Sequence, residues 1–348
     1  MQFIARLVQL GVCLLSYVAA SCAPVSAPTV EDIQTMPGVP SDTGAGTVLR
    51  VDARFDALVP PEASIEKLAD GFIFTEGPVW MRDEAYLLFS DVRGNTIYQW
   101  TESEGATVFI EPVFEGDRTG LRSVSSNGLT LDKEGRLVMC EHGNRRISRV
   151  EADGTRTVLV GTYEGRKLNS PNDLVYSSDG WLYFTDPGSA LEGRDTSPLR
   201  ELDFNGIYRL SPDGELELLY RDQSRPNGIA LSPDEATLYV ANADASQKVW
   251  MAYDLSEAGV SNPRVFFDVN DQTDEGAADG MKVDTAGNLF ATGPGGVWVL
   301  SPDGVHLGTI MPDEVPANVA WGDDGRTLYM TARTGLYRIR LTTSGPIP

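Results

Sequence analysis

The sequence is poor in cysteine, histidine and basic residues, and each shortage removes a class of reading. Of its three cysteines, Cys13 and Cys22 fall within the first 22 residues, so Cys140 stands alone in the remainder and no disulfide can form within that part. The fold must therefore be held by packing and by closure of its own sheets. Cys140 lies in the apolar run LVMC and reads as a buried strand residue, not a nucleophile. With only His142 and His306 present, a structural zinc site of Cys and His is excluded. A Gly-x-Ser-x-Gly elbow is also missing, which argues against a serine esterase. Lys and Arg number 28 against 50 Asp and Glu, for a net charge of −22. The basic residues form no run, so nucleic acid is not expected as a partner. No amphipathic helix of convincing length is found either.

What is present is organised from the first residue. Arg6 followed by the mostly apolar Leu7 to Ala20 and a small-residue stretch reads as an export signal over 1–22, too short for a membrane span. Ala19-Ala20-Ser21-Cys22 is similar to a lipobox without its usual leucine, so two outcomes stay open: lipidation at Cys22, or ordinary cleavage near Ala20 or Ala23. The chain is thus expected to be exported, periplasmic or secreted, touching a membrane only through that anchor. Residues 23–47, rich in Pro, Ser, Thr, Ala and Gly, read as a flexible linker, leaving 48–348 as one domain.

That domain is a repeat. EGPVWMRDEAYLLFSD begins at Glu76, NGLTLDKEGRLVMCEH at Asn127 and NDLVYSSDGWLYFTDP at Asn172. NGIALSPDEATLYVAN follows at Asn227, DGMKVDTAGNLFATG at Asp279 and ANVAWGDDGRTLYMTA at Ala317, the six starts lying 38 to 55 residues apart. Each copy alternates apolar and polar residues, turns on Gly or Asp, and resumes with a second apolar run, which predicts a β-hairpin. A further pair of short strands, such as IYRLSPDGELELLY, follows in most copies. Four strands per unit of about 40 to 50 residues predicts an all-β, six-bladed β-propeller with a central metal-binding channel. The segment IEKLADGFIF is a spare strand, expected to pair with the last blade and close the ring.

In a propeller the first strand of each blade lines the channel, so the repeat starts form a ring at one mouth: Glu76, Asn127, Asn172, Asn227, Asp279 and Ala317. Asn-Gly is also ordinary turn chemistry. Five carboxylate or amide side chains in register, however, offer hard oxygen ligands and no sulfur. That set suits one divalent cation, Ca²⁺ first, with Mg²⁺, Mn²⁺ or Zn²⁺ as alternatives. Second strands should return to the same mouth and leave Asp91, Glu141, His142, Asp186 and Asn242 as a polar rim. His142 there is a general base, a substrate contact or a solvated loop residue. His306, in an outer hairpin, is structural.

The phrases FTEGPVW, SSNGLTLDKEGRLVMCEHGNRRI, KLNSPNDLVYSSDGWLYFTDP, RPNGIALSPDEATLYVAN and ADGMKVDTAGNLFATG resemble the gluconolactonase, regucalcin and senescence-marker-protein family, from about residue 64 to 341. The resemblance implies a metal held by Glu76, Asn172, Asn227 and Asp279, with Asn172 contacting substrate or a metal-bound water in the regucalcin branch. Related paraoxonases carry a histidine pair at positions like Asn127 and His142; Asn127 here leaves that dyad incomplete. The implied activity is metal-dependent hydrolysis of a small-molecule sugar lactone. Asp279, Asp173, His142 and Glu141 are the candidates for proton transfer, and Asn127, Arg122 and Asn172 for holding substrate. Hydrolysis of aryl esters or phosphotriesters at the same metal, or a non-enzymatic calcium-stabilised ligand-binding propeller, are the alternatives.

Overall fold

A computed structural model describes residues 40–42 and 44–348. The expected signal segment, Cys22 and most of the expected linker lie outside the described residues. Six antiparallel sheets follow one another along the chain. Their innermost strands are Thr75–Met81, Ser126–Leu131, Leu174–Tyr176, Pro226–Leu231, Met281–Val283 and Pro316–Gly322. Each packs beside the innermost strand of the next sheet, and the sixth packs beside the first, so the sheets are six blades around a closed channel. Blades are numbered here from the one that begins at Thr75.

Local chemistry explains the hairpins. Asp132 ends the first strand of blade 2, and its Oδ1 accepts the backbone N–H groups of Glu134 and Arg136 at 3.1 and 2.9 Å. Asp284 does the same in blade 5 for Ala286 and Asn288. Gly135 and Gly287 follow with φ of +78° and +88°, which close such turns without strain.

Blades are joined by six apolar clusters, one per interface. Hydroxyls on second strands add a polar stitch. Ser90 donates to the Asn127 carbonyl at 2.8 Å, Thr185 to that of Asn227 at 2.7 Å and Thr292 to that of Ala317 at 2.9 Å. In blade 2 the equivalent position is the buried thiol Cys140, unpaired, as its apolar run predicts.

The spare strand closes the ring: Ile65–Asp70 pairs antiparallel with Gly335–Arg340 and forms the outer strand of blade 6. The N-terminal segment departs from the expected boundary. Pro40–Asp42 and Gly46–Arg50 are strands, the second paired with His306–Pro312, so blade 5 has six strands and ordered structure starts inside the expected linker. Val48 and the following Phe55 are fully buried against blades 5 and 6, and this apolar contact ties down a segment whose composition reads as tether. His306 is structural, as expected: it stacks on Trp298 at 4.3 Å and hydrogen-bonds Thr309 at 2.9 Å.

Candidate active site at the channel mouth

First strands run inward from one mouth and second strands return to it, so the starts of the former form the predicted ring. Glu76, Asn127, Asn172 and Asn227 are buried and Asp279 is half-buried. Their backbones approach closely because Gly77, Gly128, Gly228 and Gly280 come next in four blades. A Cβ on Gly228 would overlap the Asp279 carbonyl, and one on Gly77 the Asn127 carbonyl. Glycine is required there to bring neighbouring ring residues together.

The other two blades have side chains where these have glycine. Blade 3 places Asp173 there and blade 6 places Asn318. The two blades are opposite in a ring of six, yet Asn318 Nδ2 reaches Asp173 Oδ2 at 3.4 Å. This pair crosses the channel as a floor beneath the ring. Asn318 also donates to Glu76. Asn318, not Ala317, is therefore blade 6's contribution, shifted by one residue from the repeat alignment. Lys282, from the inner strand of blade 5, puts its positive charge near Glu76. It also lines a cavity of about 740 Å³ at the opposite end of the channel, with Val79, Thr130, Val175 and Ala320. Neither Asn318 nor Lys282 was expected from the repeat starts; the sequence signal was Asn318 where four other copies have Gly, and Lys282 where four have Val or Ala.

Three carboxylates thus converge: Glu76, Asp173 and Asp279. Burial, and then the charge of Asp173, push Glu76 up to about 7. Burial, then Glu76 and Asp173, push Asp279 well above the usual carboxylate range. Asp279 Oδ1 and Asn127 Oδ1 are buried with no hydrogen-bond partner. Such orphaned acceptors are rare in folded proteins and call for a donor or a cation. Among the described residues no three His, Cys, Asp or Glu form a metal cluster by themselves. The available set is two ring carboxylates with amide oxygens, which fits a hard divalent cation and not a thiophilic one.

The expected polar rim is largely spent on structure. Asp91 accepts the N–H groups of Ile73, Phe74 and Gly94 at 2.9 to 3.0 Å. Asp186 accepts those of Asn169 and Ser170 at 2.8 and 2.7 Å, while its burial pushes it up to about 7. Asn242 accepts that of Arg225 at 2.7 Å. Each acid or amide fastens the loop leading into its own blade. Glu141 points along its blade to the third strand, where Arg146 at 2.9 Å, Ser148 and Asn144 occupy its oxygens. That engagement leaves it no lone pair for channel chemistry. Glu141→Gln should cost about 1–3 kcal/mol of stability in urea unfolding, by leaving Arg146 short of its anion. It should leave turnover per folded molecule as it was.

His142 is buried, not solvated. Its Nδ1 is hydrogen-bonded to Ser123 at 2.9 Å, its Nε2 has no partner, and burial lowers it to about 4. It is a neutral imidazole at pH 7. Arg122 is exposed, with Nη1 3.2 Å from the Ser189 carbonyl, in a loop that leads to Asn127.

The chain is 38% identical over 312 residues to the gluconolactonase of Zymomonas mobilis, covering 86% of this chain and 87% of that one. It is 29% identical over 269 residues to the pentonolactonase XacC of Haloferax volcanii, covering 75% and 81%. A solved structure of a gluconolactonase from Xanthomonas campestris superposes with a TM-score of 0.76 at 32% identity, covering 88% of this chain and 99% of that one. The profile of the SMP-30/gluconolactonase/LRE-like region matches residues 74–334. With the profile spanning all six repeats and a gluconolactonase matched over most of both lengths, the chain belongs to the SMP-30/gluconolactonase/LRE-like family.

Proposed function

We propose that the chain is a divalent-metal-dependent lactonase that opens a sugar lactone to its hydroxy acid at this channel mouth. One observation carries the metal: the carboxyls of buried Glu76 and Asp173 and half-buried Asp279 face one another, with the Lys282 ammonium near Glu76. With all three ionised the group would carry a charge of −2, which one divalent cation cancels. Burial of such charge without a counter-ion is strongly unfavourable. The ligands are Glu76, Asn172, Asn227 and Asp279, and the ion is Ca²⁺ by the all-oxygen donor set. Bound there, it supplies Lewis-acid polarisation of the lactone carbonyl.

The chain's own residues do the rest. Asn127 Oδ1, an acceptor, and His142 Nε2, a donor or acceptor by tautomer, are unpartnered at the mouth and suited to substrate hydroxyls. Asp173 is fixed by the Leu174 N–H at 2.9 Å and by Asn318, so a carboxylate is held under the ring in one orientation. Asp279 and Asp173 are the groups placed to take a proton from water. In the reaction the water oxygen bonds to the carbonyl carbon, the acyl–oxygen bond breaks, and the ring oxygen leaves with a proton. The sugar-lactone class follows the gluconolactonase and pentonolactonase relatives. The test is proton release from glucono-δ-lactone by the full chain, above the spontaneous rate. Turnover should vanish with chelator and return with Ca²⁺; turnover indifferent to chelation would refute the metal role.

A further inference from the structure

The charge over the mouth is not that of the protein as a whole. Two segments pair above blades 2 and 3: Arg122 N–H donates to the Ala190 carbonyl at 2.7 Å, Glu192 N–H to that of Gly120 at 2.8 Å, and Leu121 bridges Leu191. The pairing is anchored below, where Ser170 Oγ donates to the Pro187 carbonyl at 2.6 Å and Ala190 and Leu191 are fully buried. A short turn at Arg194–Thr196 follows. Its Asp195 then reaches blade 4, with Oδ2 3.1 Å from Arg225 and the other oxygen on Arg200.

Arg122, Arg194 and Arg225 are gathered by these contacts on the mouth side. Arg225 stands two residues before Asn227 and Arg122 five before Asn127, so they flank the start of blade 3's inner strand, beneath the turn that carries Arg194. Among the described residues neither Arg122 nor Arg194 has a carboxylate within 4 Å; Asp195, already shared with Arg200, is the partner of Arg225. The Nε of Arg225 is buried and unpartnered. Arg194 feels the other two: partial desolvation, then the charges of Arg225 and Arg122, lower it from its ordinary value against the opposing pull of Asp195 and Asp244. In a chain of net charge −22, three arginines drawn together beside two acids, Asp195 and Asp244, the first already shared with Arg200, keep a positive surplus that suits an anion.

We infer that Arg122, Arg194 and Arg225 form a subsite for a second, anionic group of the substrate, so that the preferred lactone carries a carboxylate or phosphate remote from its ring carbonyl. The inference rests on the lactonase reading and narrows its substrate class. It also revises the expected polar rim: Asp91, Glu141 and Asp186 are buried and engaged, and Arg122 and Arg194 are exposed above blades 2 to 4.

The experiment compares kcat/KM for glucono-δ-lactone, glucaro-1,4-lactone and 6-phosphoglucono-δ-lactone, which carry no charge, a carboxylate and a phosphate. It is run on the full chain and on Arg194→Gln, Arg194→Lys and Arg225→Gln. One charged lactone should exceed the neutral one at least tenfold, and the charged arms identify which anion the site takes. Arg194→Gln should cut the charged-to-neutral ratio at least tenfold, through KM, with Arg194→Lys recovering part of it. Arg194 is exposed, so Arg194→Gln should fold even if Arg225→Gln does not. Good turnover of the neutral lactone, with no charged preference and a ratio unmoved by either variant, would overturn the subsite and leave the lactonase. If no lactone is turned over, the lactonase reading falls instead. Titration calorimetry with 6-phosphogluconate and glucarate then decides the arginines: tenfold weaker binding to Arg194→Gln upholds the anion site, and equal binding overturns it.

Discussion

Glu76→Gln and Asp279→Asn should each lower lactone turnover at least a thousandfold while making the metal-free protein more stable, not less. The first effect follows from losing a ligand to an ion whose electrophilic contribution is several kcal/mol, at about 1.4 kcal/mol per factor of ten. The second follows from the electrostatics of the empty ring. Burial raises both carboxyls, the charge of Asp173 raises both further, and Glu76 raises Asp279. An amide of the same shape removes one buried like charge and keeps the packing. Urea unfolding in chelator should therefore show a gain of about 1–3 kcal/mol for either variant. Saturating Ca²⁺ at about a thousand times its dissociation constant should stabilise the wild type by about 4 kcal/mol and the variants hardly at all. Loss of stability in chelator together with unchanged turnover would mean that the ring is structural.

Stability should also depend on pH in a way that reports on the same carboxylates. A carboxylate whose native pKa is raised holds its proton longer when folded, so its contribution falls as pH rises from the ordinary value towards the native one. For Glu76 that window runs from 4.5 to about 7, and Asp279, raised well above the usual carboxylate range, acts with the same sign. Asp186 has the same sign, its window ending at about 7. His142 has the opposite sign: lowered from 6.5 to about 4, it favours the folded state as pH rises between those values. The two effects oppose each other below pH 6.5, and above it the carboxylates act alone. In chelator the protein should lose stability as pH rises above 6.5, with a slope of at most about 1.4 kcal/mol per pH unit for each proton released. Saturating Ca²⁺ should flatten the curve to the part owed to Asp186. Identical curves with and without Ca²⁺ would remove Glu76 and Asp279 from the metal site.

Much of this was legible before any fold was drawn, because a repeat fixes local register. Six copies of one hairpin phrase, five of them starting on a carboxylate or amide residue, place Glu76, Asn127, Asn172, Asn227 and Asp279 at equivalent points of five blades. The spare strand at Ile65–Asp70 was readable because an open edge needs a partner. Cys140 was readable from its apolar neighbours.

What the repeat could not give was the use made of each polar group after the chain had closed. Asp91, Asp186 and Glu141 look equivalent at the ends of second strands, yet the first two are taken by loop N–H groups and the third by Arg146. Asn318 and Asp173 meet across the channel from positions 145 residues apart. Arg122, Arg194 and Arg225 come from three separate loops. The sequence by itself determined the propeller, its closure and the ring of carboxylate and amide residues, since alternation and repeat length set which residues share a face. Only the tertiary structure decided which polar groups stay free to meet a ligand. Hydrogen bonds between distant loops are satisfied one partner at a time, and no local pattern records which partner arrives.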